Sequence, residues 1–230
     1  MNIAIDGPAG AGKSTIARRV AAELGSIYVD TGAMYRAMAL YMIKNGVDAE
    51  DPAAIERTCE NAEISIRYQD GMQHVYLNGE DVTGQLRTEE VGNMASKSSA
   101  CRRVREKLVE LQQKLAETTS VVMDGRDIGT VVLPKAELKI YLTASAHTRA
   151  LRRFQELAEK AKESEDENAV LPDLAEIEKD IEERDYRDMH RENSPLMQAE
   201  DAVVVDSSDL TIEEVTNCIL KLAAQRKHTS

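Results

Sequence analysis

Residues 7–14 are Gly7-Pro8-Ala9-Gly10-Ala11-Gly12-Lys13-Ser14 and match the phosphate-binding motif G-x-x-x-x-G-K-[S/T]. An apolar, strand-like segment (residues 2–6) precedes the motif, and a helix-like segment (residues 14–24) follows it. Glycines let the backbone approach a polyphosphate with its N–H groups pointing inward, and the helix start adds the positive end of a dipole. Lys13 would reach the β- and γ-phosphates, and the Ser14 hydroxyl would bind Mg²⁺. This setting favours a nucleotide-binding loop over a glycine-rich turn with a chance lysine.

Strand-like and helix-like segments alternate along most of the chain. Five short apolar runs are typical of buried parallel strands, and they span residues 2–6, 27–30, 121–124, 138–142 and 202–206. Helical patterns span residues 14–24, 35–45, 88–118, 146–162, 174–190 and 211–225. This alternation predicts an α/β fold, in which helices cover both faces of a five-stranded parallel sheet.

Polar residues stand at the ends of these predicted strands, and they are Asp6, Asp30, Asp124, Thr143 and Asp206. The carboxyl ends of parallel strands meet at one edge of a sheet, where open α/β proteins bind their ligands. Some of these side chains would only cap turns or helices, and for Asp206 we prefer that interpretation.

Two segments interrupt the alternation. Residues 64–85 alternate in the strand manner around two turns, which predicts a small antiparallel insert. Residues 162–171 are rich in Glu, Asp, Ser and Asn, which predicts a mobile loop between two charged helices.

The composition limits the possible classes of function. The 230 residues carry a formal net charge of −12, which argues against nonspecific binding to nucleic acid polymers or anionic membranes. Three widely spaced cysteines, and no apolar stretch of about 18 residues, are typical of a protein of the reducing cytoplasm. The first predicted strand starts at residue 2, so we expect no signal peptide. No apolar stripe or heptad run is left over, so we expect a monomer.

Residues 30–36 (DTGAMYR) follow the second predicted strand. Thr31 and Arg36 lie around a predicted helix start, where a hydroxyl, the helix N-terminus and a guanidinium could hold a phosphate. The alternative is an N-cap at Thr31 and a surface charge at Arg36, and the spacing alone does not separate the two.

Residues 124–127 (DGRD) follow the third parallel strand, and Gly125 permits a sharp turn there. Asp124 stands where proteins with this kind of loop keep a carboxylate for Mg²⁺ or its water shell. Arg126 would face anionic phosphate, and Asp127 would accept a hydrogen bond from a base amino group. The alternative is a turn closed by an internal Arg–Asp ion pair.

Arg184, Asp188 and Arg191 share one face of a predicted helix because they are spaced i, i+4 and i+7. Their charge pattern alone favours a solvent-exposed ion-pair helix. The acidic loop and charged helices beside them instead suggest a lid, which excludes water and brings arginines onto a transferring phosphoryl group. Ser96 and Arg105 flank the start of a long helix, where they would recognise a base or phosphate or would form a basic surface turn.

Four segments in this order together resemble bacterial-type cytidylate kinases: the phosphate-binding loop, residues 30–36, residues 124–132 (DGRDIGTVV) and residues 184–188 (RDYRD). The resemblance covers nearly the whole chain, and the combination is more specific than any single segment. Residues 64–85 are similar to the enlarged monophosphate-binding subdomain of the bacterial enzymes. The predicted lid is longer than in shorter family members, because residues 163–170 are added.

The resemblance implies phosphoryl transfer from ATP to CMP or dCMP, with Mg²⁺ and without a covalent enzyme intermediate. It implies that the ATP phosphates are held by Gly7, Pro8, Ala9, Gly10, Ala11, Gly12, Ser14 and Thr15. It implies that the catalytic residues are Lys13, Arg126, Arg184 and Arg191, and that Mg²⁺ is bound, directly or through water, by Ser14 and Asp124. It implies that the acceptor is held by Thr31 (often Ser in the family), Arg36, Ser96, Arg105, Asp127 and Asp188.

We expect one domain, residues 1–230, with a core (1–35, 86–145 and 192–230), a monophosphate-binding insert (36–85) and a helical lid (146–191). Two other classes of function stay open. One is a kinase for another nucleoside monophosphate or a small metabolite. The other is a nucleotide-hydrolysing switch that signals through a partner, against which the DGRD segment and the two arginines of the lid face argue.

Overall fold

A computed structural model describes residues 1–163 and 171–227 of this protein. The strands are β1 (Ile3–Asp6), β2 (Ile27–Asp30), β3 (Ile64–Gln69), β4 (Met72–Leu77), β5 (Glu80–Asp81), β6 (Val121–Gly125), β7 (Leu138–Thr143) and β8 (Val203–Asp206). The helices are α1 (Lys13–Leu24), α2 (Thr31–Lys44), α3 (Pro52–Cys59), α4 (Glu89–Ser98), α5 (Arg102–Thr118), α6 (Ala146–Glu163), α7 (Leu174–His190) and α8 (Ile212–Lys227). A 3₁₀ turn (Thr83–Gln85) and a π-helical turn (Ile128–Val132) complete the described elements.

Five strands form one parallel sheet in the order β2-β6-β1-β7-β8. The central strand β1 is fully buried and pairs with β6 and β7, so that Asp6 lies opposite Gly125 and Tyr141. In the next ladder, Asp30 lies opposite Asp124. The register therefore brings the ends of four predicted strands to one edge of the sheet, as the sequence indicated.

Helices cover both faces of this sheet, which confirms the predicted α/β fold. Ile3 and Ile5 of β1 belong to an apolar cluster with residues of α1 and α8. Ala4, between them, belongs to a separate cluster on the opposite face, against which α5 packs. Successive side chains of a strand point to opposite faces, so a strand that is apolar at every position needs such cover on both sides.

The small antiparallel insert is also confirmed, with strand order β3-β4-β5. Asp70 and Gly71, both with positive φ, form the turn between its two long strands. The buried side of this sheet packs on α2, and the shared cluster contains four methionines: Met34, Met38, Met42 and Met94.

The helix predicted over residues 88–118 is wrong, because α4 and α5 are separate helices. The turn between them is closed by N–H···O bonds from Ala100 to Lys97 (3.2 Å) and from Cys101 to Ser98 (3.0 Å). The Ser99 hydroxyl also donates to the Ser96 carbonyl at 2.9 Å. Serine side chains that bind nearby backbone groups compete with helical hydrogen bonding, and a run of serines therefore permits the break.

Two further helices, α2 and α3, differ from the prediction. Helix α2 begins at Thr31 rather than at residue 35, because the Asp30 carboxylate caps it by accepting from the Ala33 N–H at 2.8 Å. Helix α3 was not predicted, although Asp51 and Pro52 are a typical N-cap and first-turn pair. The preferred interpretation of Asp206 is confirmed, since its carboxylate accepts from the N–H (2.9 Å) and hydroxyl (2.6 Å) of Ser208.

Most of the predicted acidic loop, residues 164–170, lies outside the described residues, and its mobility stays a prediction. Within residues 1–163 and 171–227, no helix has both the length and the apolar character needed to cross a bilayer.

Candidate active site

The phosphate-binding loop joins β1 to α1 and presses against β7. Gly7 has a φ of 150°, and a Cβ at this position would lie 1.9 Å from the carbonyl oxygen of Leu142. Gly12, with a φ of 83°, is the N-cap of α1, and no side chain caps the helix there. The first-turn N–H groups, including that of the exposed residue Thr15, therefore remain available to an anion.

Lys13 lies folded over the loop. Its side chain is buried, and Nζ donates to the Pro8 carbonyl at 2.7 Å. Burial, together with the nearby Arg126 guanidinium, lowers the pKa of Lys13 to about 7, against the opposing effect of Asp124. An anion bound in the loop would favour the charged form of this amine, so the site can take up a proton as it fills.

Asp124, at the carboxyl edge of the sheet, accepts hydrogen bonds from three surrounding hydroxyl groups. One carboxylate oxygen accepts from the Ser14 hydroxyl at 2.8 Å, and the other accepts from the Tyr28 hydroxyl at 2.9 Å. Its backbone carbonyl accepts from the Thr31 hydroxyl at 2.6 Å, so Thr31 is engaged within the protein rather than free for a phosphate. Burial and the neighbouring Asp30 raise the pKa of Asp124 to about 6.

The Ser14 and Asp124 pair fits a magnesium ion that also binds substrate phosphates. Mg²⁺ prefers oxygen ligands and is usually held by one or two carboxylates, waters and phosphate oxygens rather than by a complete protein cage. Within the described ranges, no cluster of three or more His, Cys, Asp or Glu residues could hold a metal ion. A metal at this edge would therefore depend on the nucleotide for several of its ligands.

Asp30 forms ion pairs with two arginines on the β2 side of the site. Its carboxylate lies 3.2 Å from Nη2 of Arg36 and 3.5 Å from Nη2 of Arg87. Its backbone is held by Gln73 of the insert, whose amide accepts from the Asp30 N–H (2.8 Å) and donates to the Asp30 carbonyl (3.1 Å). The insert thus contacts the sheet edge directly, beside the predicted acceptor residue Arg36.

Five other predicted site residues form one network of alternating charge. Arg126 Nε donates to Asp188 at 2.8 Å, and Arg191 lies 3.8 Å from both Asp188 and Asp127. Arg105 donates to Asp127, and both side chains are only 5% exposed. The alternative considered from the sequence, an Arg–Asp ion pair within the turn, is therefore wrong, because Arg126 and Asp127 pair with α5 and with the C-terminal end of α7 instead.

Within this network, Arg126 and Asp188 hold each other ionised. Although burial opposes it, Arg126 lowers the pKa of Asp188 below its ordinary value. In the same way, Asp188 outweighs burial and raises the pKa of Arg126. A buried cluster of this kind is arranged to receive charged groups at low reorganisation cost.

A family model described as cytidylate kinase matches residues 3–225. The chain belongs to the cytidylate kinase family.

Individual relatives agree with the family match. A protein named cytidylate kinase from Lactobacillus johnsonii is 49% identical over 227 residues, which cover 99% of this chain and 95% of that protein. One of the same name from Caldicellulosiruptor bescii is 51% identical over 222 residues, covering 96% of this chain and 95% of the relative. A solved structure of an uncharacterized protein from Eubacterium ventriosum has a TM-score of 0.50 at 13% identity, covers 98% of each chain, and is similar in fold alone.

Arg184 is the one predicted catalytic arginine of this cytidylate kinase family member that the network leaves out. No ion pair joins it in the part of the chain that the structure describes, and its buried Nε has no hydrogen-bond partner there. Burial and the nearby Arg126 lower the pKa of Arg184 below that of an ordinary arginine. Asp188 offsets this effect only in part, so a bound anion that paired with Arg184 would relieve the remaining cost of its half-buried charge.

Ser96 lines a cavity of about 330 Å³ between the ends of α4 and α7. Asp188 and Arg191 line the same cavity, with the stacked rings of Tyr186 and His190 (centroids 4.0 Å apart) also at its wall. The Ser96 hydroxyl is buried and has no partner among the described residues. The cavity therefore brings three predicted site residues around a space that a polar ligand can enter.

Sequence reasoning gave no role to several residues that shape the site. Asp6 accepts from the N–H groups of Ile128 (2.8 Å) and Gly129 (2.7 Å) and so fixes the turn after Asp127. The position of Asp6 at the end of a predicted strand could have indicated that it belongs to the site. Arg87 and Arg149, by contrast, resemble any other surface cation in the sequence.

Proposed function

We propose that this protein transfers the γ-phosphoryl group of ATP to CMP and dCMP, giving CDP and dCDP. The observation that carries the proposal is the juxtaposition, at one sheet edge, of an uncapped phosphate-binding loop with a buried network of arginines and aspartates. Membership of the cytidylate kinase family supports the choice of cytosine nucleotides as acceptors.

The donor is held by the loop from Gly7 to Thr15. Backbone N–H groups bind its phosphate oxygens, because the helix N-terminus has no competing cap. Lys13 exchanges its bond to the Pro8 carbonyl for the phosphates, and the incoming negative charge restores its protonated state.

Ser14 and Asp124 are the residues that would hold Mg²⁺, directly or through water. When bound, the ion supplies a Lewis acid that neutralises charge on the phosphate oxygens. The Tyr28 hydroxyl orients the Asp124 carboxylate by donating to its second oxygen.

The acceptor occupies the opposite side of the edge. Arg36 and Arg126 bind its phosphate, and Thr31, the first residue of α2, ties that helix to the Asp124 carbonyl beside them. Asp127 and Arg105, together with Ser96, recognise the polar edge of cytosine. Asp188 meets the sugar at the mouth of the cavity.

The chemical step is a direct in-line transfer. An oxygen of the acceptor phosphate forms a bond to the γ-phosphorus while the bond to the β–γ bridging oxygen breaks, so ADP leaves with that electron pair. Lys13, Arg126, Arg184 and Arg191 stabilise the charge spread over the transferring oxygens, and their positioning supplies most of the rate enhancement.

The test is ADP formation from Mg-ATP with CMP, dCMP, UMP, AMP or GMP, and without acceptor. We expect strong turnover with CMP and dCMP only. Turnover with another monophosphate would keep the phosphoryl transfer and reject the base-recognition residues. Hydrolysis that needs no acceptor would support a nucleotide switch instead.

Three expectations accompany this proposal and stay predictions. The chain divides into the core, insert and lid with the boundaries given above. It acts as a monomer, and it works in the cytoplasm.

A further inference from the structure

Arg149, in the first turn of α6, joins three separate parts of the chain. Its Nε donates to the Ala144 carbonyl at 2.9 Å, just after β7. Its Nη1 donates to the carbonyl of Ala9 in the phosphate-binding loop, also at 2.9 Å. Its Nη2 donates to the carboxylate of Asp185 in α7 at 2.6 Å.

The stem of Arg149 also lies against the loop. Gly10 has no side chain, and a Cβ there would be 3.4 Å from the Cβ of Arg149. The Arg149 side chain is 5% exposed and that of Asp185 is 13% exposed. The conformation of residues 9 and 10 is therefore linked to α7 through one largely buried ion pair.

Asp185 lies in α7 beside two residues that we assign to substrate binding, so the link from the loop reaches the acceptor side of the site. Asp185 follows Arg184 directly and precedes Asp188 by one turn, and we assign both neighbours to the acceptor and the transferring group. A displacement of α7 would move both of them. Arg149 thus contacts the phosphate-binding loop on one side and, through Asp185, the helix that carries Arg184 and Asp188 on the other.

We propose that the Arg149–Asp185 pair couples the two substrate sites, so that a nucleotide in the loop strengthens acceptor binding. The proposal rests on the proposed function for the identity of the two substrates. A nucleotide on the loop fixes Ala9 and Gly10, Arg149 transmits that order to Asp185, and α7 then presents Arg184 and Asp188 in fixed positions. Arg149 and Asp185 are positioning residues.

The planar guanidinium is essential to this arrangement. Three of its nitrogens point to three fixed acceptors at once, which the single ammonium of lysine cannot reproduce. Coupling between sites is a difference in binding free energy, and it can be lost without loss of either binding site.

The experiment measures CMP affinity by calorimetry with and without a non-hydrolysable Mg-ATP analogue. In the natural sequence we expect the analogue to tighten CMP binding by about fivefold or more. In Asp185→Asn and in Arg149→Lys we expect this factor to fall below about twofold, while each ligand alone still binds. Asp185→Glu, which keeps the charge, should recover part of the factor. The matched control is Asp180→Asn, an exposed carboxylate of the same helix, and it should keep the full factor.

The proposal would be overturned if the analogue left the CMP affinity of the natural sequence unchanged. It would also be overturned if the analogue tightened CMP binding as strongly in the folded Asp185→Asn and Arg149→Lys variants as in the natural sequence. If these variants fail to fold, the proposal is tested instead by amide hydrogen exchange of the natural protein with and without the analogue. The analogue alone should slow exchange in residues 184–188, and absence of that protection also refutes the coupling. This second measurement needs no acceptor, so it stands even if the acceptor panel rejects CMP.

Discussion

The hydroxyl of Ser14 donates a 2.8 Å hydrogen bond to the carboxylate of Asp124, although 110 residues separate them in the chain. Strands β1 and β6 are parallel neighbours in the sheet, so the loop that follows β1 and the carboxyl end of β6 lie at the same edge. A hydroxyl from the donor loop and a carboxylate from the acceptor side thus share one potential magnesium site.

Asp124→Asn should raise the magnesium concentration needed for half-maximal turnover by about 10- to 100-fold, because the amide keeps the size but removes the charge. Turnover at saturating magnesium should fall as well. Initial rates at fixed ATP and CMP across a magnesium series measure both effects. Asp48→Asn, an exposed carboxylate far along the chain, should behave like the natural sequence. An unchanged magnesium requirement in Asp124→Asn would reject the metal role.

Donor binding should take up a proton at pH 8. Lys13 is mostly neutral there, since burial and Arg126 lower its pKa to about 7, and bound triphosphate should raise that pKa again. Uptake should approach about one proton and should vanish in Lys13→Met. Calorimetric titration of a Mg-ATP analogue in two buffers of different ionisation enthalpy measures it.

The sign of this exchange should change near pH 6. Lys13 is already protonated there, whereas Asp124, with a pKa raised to about 6 by burial and Asp30, is partly protonated. Magnesium and a charged Lys13 favour the Asp124 carboxylate, so binding should then release protons. Proton uptake that persists unchanged at pH 6 would contradict the assignment of both groups.

Asp127→Asn should relax the choice of base. The carboxylate can only accept hydrogen bonds and suits the cytosine amino group, whereas an amide can also donate to the uracil carbonyl. We expect the ratio of kcat/KM for CMP over UMP to fall by about tenfold or more, with the KM for ATP little changed. Glu106→Gln, in an exposed ion pair on the same helix as Arg105, is the control. An unaltered CMP/UMP ratio would remove Asp127 from the base site.

Arg184→Met and Arg105→Met should have opposite effects on stability. Arg184 has no ion pair among the described residues, so replacing it should leave the free energy of unfolding unchanged or raise it, while kcat falls by about 100-fold or more. Arg105 neutralises the buried Asp127, so its loss should cost about 3–5 kcal/mol. Urea denaturation and steady-state kinetics of both variants test the contrast. Equal destabilisation by the two substitutions would show that Arg184 is paired in solution.

Gly7→Ala should be far more harmful than Gly25→Ala. A methyl group at Gly7 would meet the Leu142 carbonyl at 1.9 Å, and the obstacle is backbone that cannot swing away. At Gly25 the φ is 63° but the space is open, so only conformational strain of about 1 kcal/mol arises. Thermal denaturation and nucleotide binding compare the two, and similar losses at both positions would refute the steric argument.

Local patterns predicted the parts of this protein that depend on neighbouring residues. The strand–loop–helix around Lys13 and the alternation of residues 64–85 needed no tertiary information. The break between α4 and α5 was missed because the apolar spacing continues through residues 99–101, while serine side chains compete with the helix there. Helix α3 was missed although Asp51 and Pro52 are a typical N-cap and first-turn pair.

Contacts between distant segments could not be predicted in this way. Asp30 meets Arg87 and Gln73, and Arg149 meets Ala9 and Asp185, only because the sheet order brings their elements together. Nothing in the spacing of Gln73, Arg87 and Arg149 distinguishes them from ordinary surface polar groups. The DGRD segment likewise did not reveal that Arg126 pairs with Asp188 of α7 and Asp127 with Arg105 of α5.

The apolar cluster that contains α2 and the cluster under the phosphate-binding loop differ in the kinds of side chain that fill them. Met34, Met38 and Met42 are fully buried on the helix that carries Arg36. Under the donor loop, by contrast, the buried side chains of the described cluster are isoleucine, valine, leucine and alanine. Unbranched thioether side chains repack at little cost, whereas β-branched ones hold a single rotamer. We therefore expect α2, with Arg36 on it, to adjust its position on ligand binding more readily than the helix that follows the phosphate-binding loop.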